Sequence, residues 1–206
     1  TCISGETGCP VANKYQIGSA VSQTAYISHH TAMEYYGVCD QVYYDVYVSS
    51  ETPFKEFEFD GYTYCYVASK CKLGIENVHY SGGVRITDKE RTTLDSIKDM
   101  DKISGIEEVL ANIDGFTSLN EEKLTGYLQE YHNQFLYQKT GFILYPYRDK
   151  LGLSHSFFEM CQSKTGKSKR YLTKEFTNGT YIKEWKLVVP DEIYKLKNGA
   201  FQDDRI

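Results

Sequence analysis

The stretch FKEFEFDGYTYCYV, Phe54 to Val67, alternates aromatic or aliphatic residues with polar ones on both sides of Asp60-Gly61. Period-two alternation puts one set of side chains on a single face of a strand, and Asp-Gly supplies the positive φ angles of a two-residue hairpin turn. The stretch therefore predicts two antiparallel strands. QVYYDVYVS, Gln41 to Ser49, is again rich in Tyr and Val and reads as a further strand, so the region is expected to form a β-meander. Upstream, Ala25-Tyr26-Ile27 is a short apolar strand, and Asn13 is placed to cap a short helix running to Ser22. Ser28 is placed to cap a second helix, His29 to Tyr36, with Gly37 as its left-handed stop.

After Val84-Arg85-Ile86 the period changes from two to 3.6. Thr87-Asp88-Lys89-Glu90 and Ser104-Gly105-Ile106-Glu107 each match the capping box, in which a hydroxyl and a carboxylate satisfy each other's backbone amides. They open helices from about Asp88 to Met100 and from Ser104 to Ile113, the second with Ile106, Val109, Leu110 and Ile113 inward. Asn120 caps a third, with Leu124, Leu128 and Tyr131 at helical spacing. Gln134 to Leu151 starts helical, and Gly141 and Pro146 predict a bend or break. Ser154 opens another helix through Cys161, ending at the Gly166 turn, and Arg170 to Leu172 and Thr180 to Val189 read as strands. The expected architecture is a single α+β domain: a mixed or antiparallel sheet in the first third, helices in the middle and short strands near the C-terminus.

The chain has 206 residues, 41% of them hydrophobic and 15% aromatic, with 23 basic against 28 acidic side chains. That suits a folded protein with a sizeable core and excludes a uniformly basic nucleic-acid binder. The net charge of −5 hides an asymmetry: −10 over residues 1–131 and +6 over 132–199. No run approaches the 18 or so apolar residues of a membrane span, and Thr1 to Pro10 lacks the pattern of a signal peptide, so a cytoplasmic protein is expected. The absence of Met at position 1 suggests a truncated or processed chain with an upstream segment missing.

Six cysteines at irregular spacings read as reduced thiols, not a disulfide framework. Cys65, Cys71 and His79 are the candidate zinc cluster, but five residues separate the two thiols and no second pair follows, so no metal and no cofactor is expected. Gly166-Lys167-Ser168 resembles the end of a phosphate-binding loop; Cys161 stands where that loop needs its first Gly, which makes the triplet a solvated turn. Ser28 beside His29 and His30 suggests a Ser/His pair, but adjacent residues at a helix start rarely face one another, so Ser28 is read as a cap with one imidazole packed on Tyr26 or Tyr36. Glu184-Trp185-Lys186 on a strand is similar to the acidic-x-Lys end of a nuclease site, with Asp149 the nearest guess for the second carboxylate that a bound metal requires. The clearest electrostatic feature is Lys164, Lys167, Lys169, Arg170 and Lys174, interrupted by polar residues and Tyr171 but by no carboxylate. Such a run suits a phosphate backbone or an acidic protein face.

Three segments resemble one family. AYISHHTAMEYYGV, Ala25 to Val38, resembles the AYISHxSALExHGL segment of the AbiEi-type abortive-infection antitoxins. VRITDKERTTLD, Val84 to Asp95, is similar to that family's VxVTDxERTxLD, and Gly105 to Val109 to its GGxEEV, with Ser104 for the first Gly. Leu136 to Leu144 and Tyr171 to Val189 extend the likeness over about residues 10–195. The resemblance implies the antitoxin half of a bacterial toxin–antitoxin pair whose toxin is a nucleotidyltransferase-like protein. It implies an N-terminal winged-helix domain that binds promoter DNA, expected upstream of this chain, and a larger C-terminal domain, here, that counteracts the toxin.

The motif residues Ser28, His29, Glu34, Gly37, Thr87, Asp88, Glu90, Arg91 and Asp95 read as structural: Thr87 and Glu90 cap a helix, Asp88 sits at its positive end, and Arg91 reaches Asp95 or Glu34. The leading expectation is a non-enzymatic antitoxin and transcriptional-regulator domain that counteracts a cognate toxin, either by contact or by opposing its effect, with no membrane partner. The alternative is a metal-dependent nuclease-like enzyme using Glu184 and Lys186.

Overall fold

The computed structural model describes residues 3–6, 8, 11–39, 41–79, 82–103, 105–175 and 177–195. The chain packs as two compact units, residues 1–92 and 93–206. The architecture is α+β: a six-stranded mixed sheet in the first half, helices in the middle and a small three-stranded sheet near the C-terminus. No helix among the described residues is long and apolar enough to cross a membrane.

The first unit opens with α1 (Lys14–Ser19), where Asn13 and Gln16 form a reciprocal capping box. It continues through β1 (Tyr26–Ile27), α2 (His29–Tyr35), β2 (Asp45–Ser50), β3 (Phe57–Phe59), β4 (Tyr62–Ala68), β5 (Ile75–Val78) and β6 (Val84–Thr87), and into α3 (Lys89–Asp99). Asp60 and Gly61 join β3 to β4 with φ of +52° and +77°, the twist a two-residue hairpin needs. The meander is corrected. The strand order is β3-β4-β2-β1-β6-β5, and β2 lies parallel to β4 from Asp45↔Thr63 to Ser50↔Ala68. Tyr64 of β4 is fully buried with Val46 and Val48 of β2, whereas β3 carries only half-buried Phe57 and Phe59 around exposed Glu58. An alternation with so little apolar surface suits an edge, so β4 takes the interior place. Ala25, Ile27, Ala32, Val84 and Ile86 complete this core.

Two caps differ from the sequence reading. Asp88, not Thr87, caps α3: its Oδ1 accepts from the Arg91 N–H at 2.8 Å, while the Thr87 hydroxyl is 2.7 Å from that of Thr92. β6 extends through Thr87, so the helix starts one residue later than a Thr cap requires. Ser28 stands at the N-cap of α2 but its hydroxyl is occupied elsewhere, 2.8 Å from His29 Nδ1 and 2.7 Å from Ser49 Oγ. His29 itself has φ +54°, a left-handed conformation that costs a β-carbon-bearing residue about 1 kcal/mol and is held by these buried bonds. Gly37, at φ +70°, ends the turn after α2 as expected.

Arg91 is fully buried in the first turn of α3. Its guanidinium donates to the carbonyls of Leu73 (2.6 Å) and Cys71 (3.3 Å), to Cys71 Sγ (2.9 Å), to Ser69 Oγ (3.1 Å) and to the Tyr26 hydroxyl (3.3 Å). Glu34, the other expected partner, is taken by Lys14 at 2.7 Å.

The second unit runs through α4 (Gly105–Gly115), α5 (Glu121–Tyr131), α6 (Gln134–Leu144), a 3-10 turn at Tyr145–Tyr147, α7 (Arg148–Leu151), α8 (His155–Ser163), β7 (Arg170–Tyr171), β8 (Gly179–Ile182) and β9 (Leu187–Pro190). Asn120 and Ser154 cap α5 and α8 as the sequence suggests, accepting from Lys123 and Phe157 N–H groups. The expected Ser104 cap of α4 lies outside the described residues. Pro146 ends α6 in the 3-10 turn, and the helix runs without a break through Gly141. A β-carbon there would lie 2.0 Å from Trp185, so glycine admits the indole against the helix, and Gln138 Nε2 donates to the Trp185 carbonyl at 3.2 Å.

Gly141→Ala should therefore cost about 2 kcal/mol through overpacking against a rigid indole, read as a lowered denaturant midpoint. Arg91→Met should cost about 3 kcal/mol or more by orphaning the buried acceptors around it, and Arg91→Lys should recover only part, since an ammonium lacks the planar fork. Cys161 on α8 is completely buried, and burial first, then the charge of Glu121, pushes its thiol from 9.0 up to about 12. A raised folded-state pKa means the contribution is whole below pH 9 and lost as pH climbs towards 12. Unfolding free energy should fall above pH 9, and Cys161→Ala should make that fall shallower.

Candidate functional site

The β7-β9-β8 sheet and the turn before it carry the basic run. After α8 ends, Gly166-Lys167-Ser168 forms a turn, tied down by the Lys186 ammonium, which donates to the Gly166 carbonyl at 3.1 Å and lies 3.4 Å from Thr165 Oγ1. Lys164, Lys167, Lys169, Arg170 and Lys174 are all exposed, but the structure does not gather all five. Lys164 caps the end of α8 and lines a shallow cleft with Gln129, His132, Gln134 and Tyr137. The Lys174 N–H is 3.3 Å from Asp101 Oδ1, and its side chain lines an open cleft of about 570 Å³ that also holds Asp101, Glu107, Glu175 and Glu192. Four carboxylates and Lys102 share that lining, so Lys174 belongs to a mixed-charge cleft and does not extend a positive face.

Lys169 and Arg170 are the centre of what remains. β9 pairs with both neighbours so that Tyr171, Val188 and Tyr181 stand in one row across the sheet. Residues directly opposite on paired strands share a face. Tyr171 is 52% and Tyr181 47% exposed, with Val188 buried between them. The Lys169 ammonium lies 5.7 Å from one ring centroid and 5.9 Å from the other, within cation–π range of both. Arg170 points to the other face and lies 5.8 Å over Phe135. Sequence reading found the lysines and Tyr171 but missed Tyr181. Its alternation with Lys183 marks a strand, and only the register through Val188 brings it beside Tyr171.

Glu184-Trp185-Lys186 is not on a strand. Thr180 to Val189 folds as a hairpin whose turn, residues 183–186, contains the triplet, with Lys186 at φ +52°. Trp185 is buried, Glu184 is exposed and Lys186 is held by the Gly166 turn, so the strand geometry behind the nuclease reading is absent. Asp149, the carboxylate suggested as its partner, is 90% exposed beside Arg148.

The Ser28/His pair is a buried structural cluster. Ser28 and His29 do meet, and His30 stacks on Tyr43 at 4.1 Å with Tyr47 edge-on at 4.7 Å, in place of the expected Tyr26 or Tyr36. Among the other motif residues, Thr87, Asp88, Glu90, Arg91 and Asp95 are all buried, and Asp95 accepts from the Tyr131 hydroxyl. Cys65, Cys71 and His79 do not assemble: among the described residues no group of three or more His, Cys, Asp or Glu is placed to hold a metal. Burial, with Asp45 and Glu56 beside it, pushes the Cys65 thiol up to about 11, and Cys71 Sγ is occupied by Arg91. Cys2 and Cys9 lie outside the described residues.

No protein-family model matches the chain, and no curated protein does. Among solved structures it is similar to the crystal structure of the RV2827C protein from Mycobacterium tuberculosis, with a TM-score of 0.60 and 13% sequence identity over 80% of this chain and 62% of that one. The chain thus spans less than two thirds of that protein's length, and at this identity the likeness is one of fold.

Proposed function

We propose that this chain is a non-enzymatic antitoxin domain of the AbiEi kind, which counteracts a nucleotidyltransferase-like toxin in the bacterial cytoplasm as part of an abortive phage-infection system. The observation that carries the reading is the ordered pair of motifs, AYISHHTAMEYYGV and VRITDKERTTLD, in the first half of the chain. Several of their polar residues are buried: Ser28 and His29 tie α2 to β2, and Arg91 ties the first turn of α3 to β1 and to residues 69–73. A sequence signature of this sort marks a scaffold and not a catalytic set, which suits a protein that acts by contact. Promoter binding, in this reading, belongs to a winged-helix domain upstream.

The toxin-facing chemistry is assigned to the basic segment, with Lys167, Lys169 and Arg170 at its centre. Producing residues 1–206 together with the cognate toxin should restore growth to cells the toxin arrests. Failure of this chain, with success of a longer one, would sink the reading. The triple change Lys167→Glu, Lys169→Glu and Arg170→Glu should weaken neutralisation while keeping the fold, at a cost of about 2 kcal/mol or less, since the exposed side chains give up only their cation–π contacts. Unchanged rescue would remove this segment from the contact surface.

A further inference from the structure

We infer that the outer face of the β7-β9-β8 sheet is a binding platform for single-stranded nucleic acid, with Tyr171 and Tyr181 stacking bases and Lys167 and Lys169 meeting phosphates. The inference shares Lys167 and Lys169 with the proposed toxin contact, but it rests on the two tyrosines and the geometry of the second unit, not on the motif resemblance.

The face joins two features that an ordinary solvated sheet does not. Large aromatic rings are left about half exposed at two directly aligned positions, Tyr171 and Tyr181, on a floor made by Val188. The two rings are two strand spacings apart, about 10 Å. That span lets an extended single strand place two nearby bases on them, each base lying flat on a phenol ring. A duplex cannot use them in this way, because its base faces are already stacked inside the helix.

The charge is of the matching sign. Lys164, Arg170, Lys174 and Lys186 are placed elsewhere, which leaves Lys167 and Lys169 as the cations this face uses. Lys169, with its ammonium over both rings, stands where the backbone linking two stacked bases passes. Lys167 extends the positive charge along the turn that leads into β7. Base stacking on aromatics with lysine contacts to phosphate is tolerant of sequence, so the predicted ligand class is unpaired RNA or DNA without a strict motif.

The test is fluorescence anisotropy with the full chain and a labelled twelve-nucleotide single strand of mixed sequence, as RNA and as DNA, beside the duplex of the same sequence. Binding should favour the single strand and weaken steeply with salt. Lys167→Ala should flatten the log–log salt slope by about 0.7, the value for one phosphate contact on a single strand. Tyr171→Ala and Tyr181→Ala should each weaken binding about tenfold, while Tyr171→Phe and Tyr181→Phe, which keep the ring, should bind nearly as the parent does. Circular dichroism and the thermal midpoint of each variant show whether the fold is kept, and the Phe variants stay informative if an Ala variant unfolds. Equal binding of duplex and single strand, loss in the Lys variants with none in the folded Tyr→Ala variants, or no binding at low salt would each overturn the proposal. So would loss of toxin neutralisation in the Tyr→Ala variants without single-strand binding by the parent, which would assign the face to a protein.

Discussion

The guanidinium of Arg91 is the interaction on which the first unit depends. One side chain, with no surface exposed, donates to the segment from Ser69 to Leu73 and to the Tyr26 hydroxyl on β1. An irregular segment leaves backbone carbonyls that no neighbouring strand satisfies, and a planar group with five donors can satisfy several of them at once. Taking that charge out of water is expensive, so the arrangement persists only where the acceptors are already in place. The strand β6 and the Asp88 cap set the position of Arg91, which holds the first turn of α3 to the sheet.

The second unit is organised by a different constraint, the seating of Trp185 on α6. The hairpin between β8 and β9 turns at residues 183–186, and its indole occupies the space that the missing β-carbon of Gly141 leaves. Once that contact is made, Gln138 closes on the Trp185 carbonyl and Lys186 on the Gly166 turn. The inner face of the three-stranded sheet is thereby committed to the helices, and Tyr171 and Tyr181 are left on the outer one. The exposed rings and the lysine between them follow from how the hairpin is anchored, which links packing to the surface proposed to bind single strands.

Local chemistry was readable. The Asp60-Gly61 turn, the Asn13, Asn120 and Ser154 caps and the Gly37 stop each depend on residues within a few positions of one another, so a one-dimensional reading finds them. The Asp88 cap was missed by one residue because Thr87 fits the same box pattern, and only pairing of β6 with β5 and β1 keeps Thr87 in a strand. The triplet Glu184-Trp185-Lys186 was misplaced because Tyr181, Lys183, Trp185 and Leu187 alternate as well as a strand does. What breaks the alternation is Lys186 in a left-handed turn, a position with no glycine to announce it.

By itself the sequence determined the α+β class, most helix boundaries, the β3–β4 hairpin and the concentration of positive charge in the last third, because periodicity, caps and charge are properties of neighbouring residues. Tertiary structure alone decided that β2 lies beside β4, that Arg91 is a buried tie, that Gly141 makes room for Trp185, and that only part of the basic run shares a face with two tyrosines. Alternation states which side chains share a face of a strand, but not which strand lies next to it; that choice belongs to the burial of side chains distant in sequence.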